Sequence, residues 1–195
     1  MSTDQISVQI GSFKADLMQR NVSVVIRRYI TFGNCFILND DKYFELKSEI
    51  AENFKLHPSE VIIVGSGKLG FSIAAQKRYR PFGDTSDIDV AIISSQLFDQ
   101  FWKEIFDYSN SGAFWADSEK FKKYLFKGWI RPDKLPNSPY FSLRKDWFEF
   151  FRNLTRSGKY GSYKISAGLY KSWHFLEEYQ SICVKECKQE LESPL

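Results

Sequence analysis

The most informative part of the sequence is residues 61–93, which read VIIVGSGKLGFSIAAQKRYRPFGDTSDIDVAII. It begins and ends with short apolar runs, Val61–Val64 and Ile88–Ile93, that are rich in β-branched residues. Such runs are typical of strands buried on both faces. Between them lie several glycines, a predicted short helix at Phe71–Ala75, and a basic loop. The stretch therefore predicts the centre of a small sheet.

Outside this stretch, apolar residues recur mainly at helical spacing. Helices are expected over residues 95–108, 118–126 and 142–154, a third strand over 163–170, and a last helix after it. The sequence thus predicts an α/β (α+β) fold, in which a small mixed sheet is flanked by helices. The whole chain, residues 1–195, is interpreted as one domain with N-terminal helices 1–56, a motif core 57–110, a basic aromatic helical segment 119–164, and a C-terminal strand and helix.

The composition excludes several classes of protein. With 43% hydrophobic and 17% aromatic residues, the chain is neither disordered nor of low complexity. Three cysteines are too few for a disulfide framework. No apolar run approaches the ~20 residues of a membrane span, and the N-terminal residues lack the pattern of a secretory signal. We expect a cytoplasmic protein that does not enter a membrane.

The net charge of +3 conceals an uneven distribution of charge. Residues 119–164 carry twelve basic and four acidic side chains, and aromatic residues alternate with them. Basic and aromatic side chains together suit phosphate backbones and base stacking. They also suit a helical subdomain whose aromatic residues form the core. The segment is therefore interpreted either as a surface for a protein or nucleic-acid acceptor or as scaffold.

Two acidic residues open the second predicted strand. Residues two apart on a strand point to the same side, so Asp87 and Asp89 place their carboxylates together. Adjacent carboxylates repel each other unless a cation lies between them, and oxygen-only ligands favour a hard cation such as Mg²⁺. A solvated strand end has the same pattern, so the pair alone does not decide between the two interpretations.

A glycine and a serine follow the first predicted strand. At Gly65 the missing side chain lets a ligand approach the backbone, and the Ser66 hydroxyl with the N–H groups after it suits phosphate oxygens. A plain strand-to-helix turn gives the same pattern. A P-loop is excluded, because Phe71-Ser72 stands where Lys-Ser/Thr is required.

Together the two motifs, Val61–Ser66 and Asp84–Ala91, resemble those of the DNA polymerase beta-like nucleotidyltransferase superfamily. The resemblance covers about 30 residues. It implies that Gly65 and Ser66 bind the triphosphate of an NTP, and that Asp87 and Asp89 are catalytic residues that hold Mg²⁺. The reaction it implies is attack of a hydroxyl on the α-phosphorus with release of pyrophosphate.

Basic residues beside the motifs are further nucleotide-binding candidates. Lys68, Arg78 and Arg80 are expected to neutralise the triphosphate, although a solvated basic loop would have the same composition. The resemblance implies that the acceptor is a hydroxyl of a protein, a nucleotide or a nucleic acid. Small stand-alone members of the superfamily often act in bacterial toxin–antitoxin or phage-defence modules, and the resemblance implies such a context.

The resemblance also implies a third carboxylate on a later strand, which completes a two-metal site. The strand predicted over Tyr163–Tyr170 contains no acid, and Asp84, Asp146, Glu149, Glu177 and Glu178 have no position that assigns them this role. Two alternatives to an enzyme follow from this gap. The chain is then an inactive relative that binds a nucleotide or a partner as a regulator, or a nucleic-acid-binding module built on residues 119–164.

Overall fold

A four-stranded mixed sheet forms the centre of the computed structural model, which describes residues 3–193. The strand order is β1-β2-β4-β3. β1 and β2 pair antiparallel, β2 and β4 pair parallel, and β3 and β4 pair antiparallel. The predicted α/β (α+β) fold with a small mixed sheet is confirmed. The strands are β1 (Val61–Val64), β2 (Ile88–Ile93), β3 (Trp129–Ile130) and β4 (Ile165–Tyr170).

Eight α-helices accompany the sheet within residues 3–193. None of them combines the length and apolar character needed to cross a membrane. The helices are α1 (Thr3–Gln19), α2 (Val22–Ile26), α3 (Asp40–Phe54), α4 (Gly65–Leu69), α5 (Ser95–Asn110), α6 (Ser118–Phe126), α7 (Ser142–Arg156) and α8 (Trp173–Glu192).

Helices cover both faces of the sheet, which explains why all four residues of β1 are buried. Val61 and Ile63 belong to an apolar cluster with residues of α3, α5 and α7. Ile62 and Val64 belong to a second cluster with residues of α1, α2 and α8. The alternation of side chains along a strand thus builds two cores from one continuous apolar run.

The helix predicted at Phe71–Ala75 is wrong, because the chain becomes helical earlier, in α4. Gly70 ends α4 in the left-handed conformation with φ of +83°, which glycine adopts without steric cost. Phe71 is fully buried and forms an isolated β-bridge with Pro81. Since its ring packs against Phe13 at a centroid distance of 5.5 Å, burial of this one side chain fixes the segment in an extended form.

Candidate functional site

The topology of the sheet gathers three chain segments at one end of the strands. Because β1 and β2 are antiparallel, the end of β1 lies beside the start of β2, and Val64 is opposite Asp89. Because β2 and β4 are parallel, the start of β4 lies at the same end, and Ser166 is opposite Asp89. The Gly-Ser turn and the Asp-x-Asp pair therefore meet there, as the sequence motifs predict.

Asp89 lies at the centre of this group. The Ser166 hydroxyl donates a hydrogen bond to Asp89 Oδ1 across 3.3 Å. A Cβ atom on Gly65 would stand 3.5 Å from Asp89 Oδ2, and the φ of Gly65 is +65°. The absence of a side chain at Gly65 therefore leaves room beside the carboxylate, and the backbone conformation favours glycine at this position.

The electrostatics of the pair favour a bound cation. Solvent reaches Asp89 through the cavity, yet protein atoms surround its carboxylate, and this burial together with the charge of Asp87 raises the pKa of Asp89. The hydrogen bond from Ser166 and the positive charges of Lys164 and Lys77 act in the opposite direction. A cation held between the two carboxylates would relieve their repulsion.

A cavity of about 1230 Å³ opens over this end of the sheet. It is larger than the roughly 300–1,000 Å³ of typical ligand pockets, so it can hold a nucleotide with room for a second reactant. Among the described residues, Gly65, Ser66, Arg80, Asp87 and Asp89 of the predicted set line it. Its basic side chains are Lys77, Arg80, Arg131, Arg152, Arg156 and Lys164.

Most of these cations have no carboxylate partner in the described chain. Arg131 pairs with Asp133 at 2.9 Å, and Arg80 donates to the Thr85 hydroxyl at 2.9 Å. No salt bridge within residues 3–193 holds the other four basic side chains of the cavity. Cations that face a cavity unpaired are suited to bind a polyanion such as a triphosphate.

The basic aromatic segment 119–164 supplies much of the opposite wall of the cavity. Its Trp147 and Phe151 are buried in the core, while Arg152 and Arg156 on the same helix line the cavity. The interpretation as scaffold thus holds for Trp147 and Phe151, whereas the interpretation as an acceptor surface stays a prediction. Sequence reasoning did not assign Arg131, Arg152 or Arg156 to the site. The four-residue spacing of Arg152 and Arg156 was the only signal that they share a helix face.

Lys68 does not reach the cavity. The residue is 4% exposed, and its ammonium group donates to the Gly33 carbonyl and lies over the ring of Tyr43. Burial lowers the pKa of Lys68 to about 8. The structure therefore does not place Lys68 at the nucleotide-binding position predicted for it, because its ammonium group is held at Gly33 and Tyr43, away from the cavity.

Arg78 also does not line the cavity. Its side chain is 7% exposed and pairs with Glu186 and Glu190 on α8. This double ion pair ties the basic loop to α8 and leaves Lys77 and Arg80 on the cavity side. We therefore regard Arg78 as a residue that positions the loop, not as a ligand of the triphosphate.

No third carboxylate joins Asp87 and Asp89 in the part of the chain that the structure describes. Asp133 is the one further acid that lines the cavity within residues 3–193, and both of its oxygens are bound by Arg131. No group of three His, Cys, Asp or Glu residues there is arranged to hold a metal ion. Beside Asp89, β4 presents Ser166.

The available donors nevertheless fit one Mg²⁺ ion. Mg²⁺ is commonly bound through one or two carboxylates, with waters and substrate phosphates completing its coordination. Asp87 and Asp89 supply two hard oxygen ligands beside a cavity large enough for the phosphates. A second metal ion lacks a comparable set of ligands among residues 3–193.

No known protein family, curated protein or solved structure matches this chain.

The glycine at position 168 sets the shape of the cavity wall. A Cβ atom there would stand 2.6 Å from Nε1 of Trp129, whose ring stacks on Tyr170. We expect Gly168→Ala to displace this indole and lower the free energy of unfolding by roughly 1–3 kcal/mol. Chemical denaturation measures the loss. Gly11→Ala is the matched control, because an added Cβ meets nothing within 4 Å there, and equal stability of the two variants contradicts the prediction.

Proposed function

We propose that this protein is a Mg²⁺-dependent nucleotidyltransferase related to the DNA polymerase beta-like superfamily. One observation carries the proposal: the Gly65-Ser66 turn and the Asp87–Asp89 pair line a single cavity together with unpaired basic side chains. The motifs are about 20 residues apart in the sequence and meet only through the pairing of β1 with β2. A solvated strand end or a plain turn gives no reason for this convergence.

Each part of the cavity has a role in binding an NTP. Lys77, Arg80 and Lys164 neutralise the triphosphate, and the open backbone at Gly65 lets it approach Asp89. Asp87 and Asp89 hold Mg²⁺, which supplies charge neutralisation at the reacting phosphates. Nucleotidyl transfer requires positioning and electrostatic stabilisation more than covalent help from the protein.

The reaction we propose is a single displacement at the α-phosphorus. The acceptor hydroxyl oxygen forms a bond to this phosphorus, and the bond from the α-phosphorus to the oxygen that bridges it to the β-phosphate breaks. Pyrophosphate leaves with the electron pair, and the hydroxyl proton passes to water. Beyond the Asp87–Asp89 pair, the one carboxylate that lines the cavity within residues 3–193 is Asp133, and Arg131 binds both of its oxygens.

A specific observation favours a second candidate, an inactive relative that binds a nucleotide or a partner as a regulator. Ser166 stands beside Asp89 on the strand that would carry a third carboxylate, and a hydroxyl is a weaker metal ligand and base. Such a protein would bind an NTP in the same cavity without consuming it. A cytoplasmic location and a role in a toxin–antitoxin or phage-defence module stay predictions under both candidates.

Two measurements test the proposal. Titration calorimetry with each NTP is expected to show binding that weakens at least tenfold when EDTA removes Mg²⁺. Incubation with NTPs labelled at the α-phosphate and mixed protein and nucleic-acid acceptors is expected to yield a labelled product and pyrophosphate. Binding without labelling supports the regulator. Absence of NTP binding contradicts the enzyme and the nucleotide-binding regulator, and leaves only a regulator that binds a partner.

A further inference from the structure

A second cavity of about 450 Å³ adjoins the first and is not used by the proposed NTP site. The two cavities share the side chains of Phe148 and Arg152, so they lie side by side along α7. The second cavity also contains Arg144 and Lys145, against the single acid Glu149. It is therefore a cationic extension of the candidate site.

The cations of this extension lie in a row on α7. Arg144, Phe148, Arg152 and Arg156 follow one another at four-residue intervals, and residues at this spacing share a face of a helix. We call these four residues, together with the neighbouring Lys145 of the second cavity, the α7 stripe. At about 1.5 Å per residue it runs for roughly 18 Å, from the second cavity into the first.

The stripe has unused binding capacity. Nε of Arg144 is buried without a hydrogen-bond partner, and no salt bridge among the described residues engages Arg144, Lys145 or Arg152. The Arg144 guanidinium lies 5.3 Å from the centroid of the Phe148 ring. Guanidinium and ammonium groups that have no carboxylate partner are suited to bind phosphate oxygens.

We propose that the α7 stripe binds the backbone of a single-stranded nucleic acid, which is the acceptor of the transferase reaction. The inference rests on the proposed function for the identity of the reaction. Cations on both sides of a half-buried aromatic ring suit a single strand, because the cations bind its phosphates and the ring offers a stacking surface for a base. An acidic protein acceptor would use the cations but would not pair each charge with a base that stacks on Phe148.

Fluorescence anisotropy with a labelled single-stranded oligonucleotide of about 16 nucleotides tests the inference. A plot of the logarithm of the binding constant against the logarithm of the salt concentration is expected to have a slope near −2. This slope corresponds to about three phosphate contacts on a single strand. Arg144→Ala/Lys145→Ala is expected to weaken binding roughly tenfold and to reduce the slope by about 1.4. Both residues line only the second cavity, so NTP binding measured by calorimetry is expected to stay unchanged.

The matched control is Lys123→Ala/Lys127→Ala, which removes the same charge from exposed positions of the same basic segment outside both cavities. Equal losses in the two double variants overturn the inference, as does a wild-type protein that binds no oligonucleotide or labels only protein. Lys145→Ala, at an exposed position, repeats the test if the double variant fails to fold. Oligonucleotide binding that depends on Arg144 and Lys145 without any NTP binding supports the stripe and contradicts the proposed function.

Discussion

Asp89→Asn is expected to lower nucleotidyl transfer at least 100-fold and to remove the Mg²⁺ dependence of NTP binding. The substitution keeps the shape of the side chain but removes one of the two charges that we propose hold the metal ion. Loss of a metal's contribution of several kcal/mol corresponds to about a hundredfold or more, since each 1.36 kcal/mol is a factor of ten. Labelled-NTP transfer and calorimetry with and without Mg²⁺ measure the two effects.

The melting temperature of Asp89→Asn shows whether its loss of activity comes from a loss of folding. Because burial and the charge of Asp87 raise the pKa of Asp89, its ionised form opposes folding at neutral pH. The Asp89→Asn protein is therefore expected to melt at the same temperature as the wild type or higher. Asp84→Asn, which changes an exposed loop residue outside the cavity, is the matched control. Full activity of the double variant Asp87→Asn/Asp89→Asn would falsify the metal assignment.

Trp147→Ala is expected to cause the largest loss of stability, about 3–5 kcal/mol. Trp147 is 2% exposed and packs against the rings of Phe54, Phe101 and Phe151 at centroid distances of 4.9, 5.6 and 5.2 Å. Its removal leaves a void among α3, α5 and α7 that these rings fill only in part. Chemical denaturation measures the free energy of unfolding, and the melting temperature is expected to fall by roughly 6–20 °C.

Trp102→Ala provides the comparison for this prediction. Trp102 lies on α5 and is 45% exposed, so its truncation is expected to change the free energy of unfolding by less than about 1 kcal/mol. The difference between the two variants isolates the effect of burial from the effect of removing an indole. If both variants lost the same free energy of unfolding, Trp147 would not be a core residue.

The sequence predicted those strands and helices that have a clear pattern of apolar residues along the chain. The apolar runs of β1 and β2 and the helical spacing in α5, α6 and α7 match the observed elements. The prediction failed at Phe71–Ala75, because burial of Phe71 against Phe13 outweighs local helix preference. The sequence analysis also missed β3. Trp129–Ile130 is too short to show a periodic pattern, and it is a strand only because it pairs with β4.

In the candidate site, too, some positions were predicted from local sequence and others were not. The motif residues Gly65, Ser66, Asp87 and Asp89 converge as predicted, because strand pairing follows from the apolar runs beside them. The positions of Lys68 and Arg78 did not follow from their closeness in sequence to the motifs. A basic side chain reaches the site only if the backbone directs it there, and these two are held by Gly33 and by α8.

The sequence by itself determined the two central strands, the paired carboxylates and the glycine beside them, because each depends on residues next to one another in the chain. Only the tertiary structure decided which cations face the cavity, that Ser166 stands beside Asp89, and that residues 119–164 supply both core and cavity wall. These contacts join segments about 40 to 100 residues apart in the chain. Their formation depends on how both faces of the sheet are packed, and no local pattern contains that information.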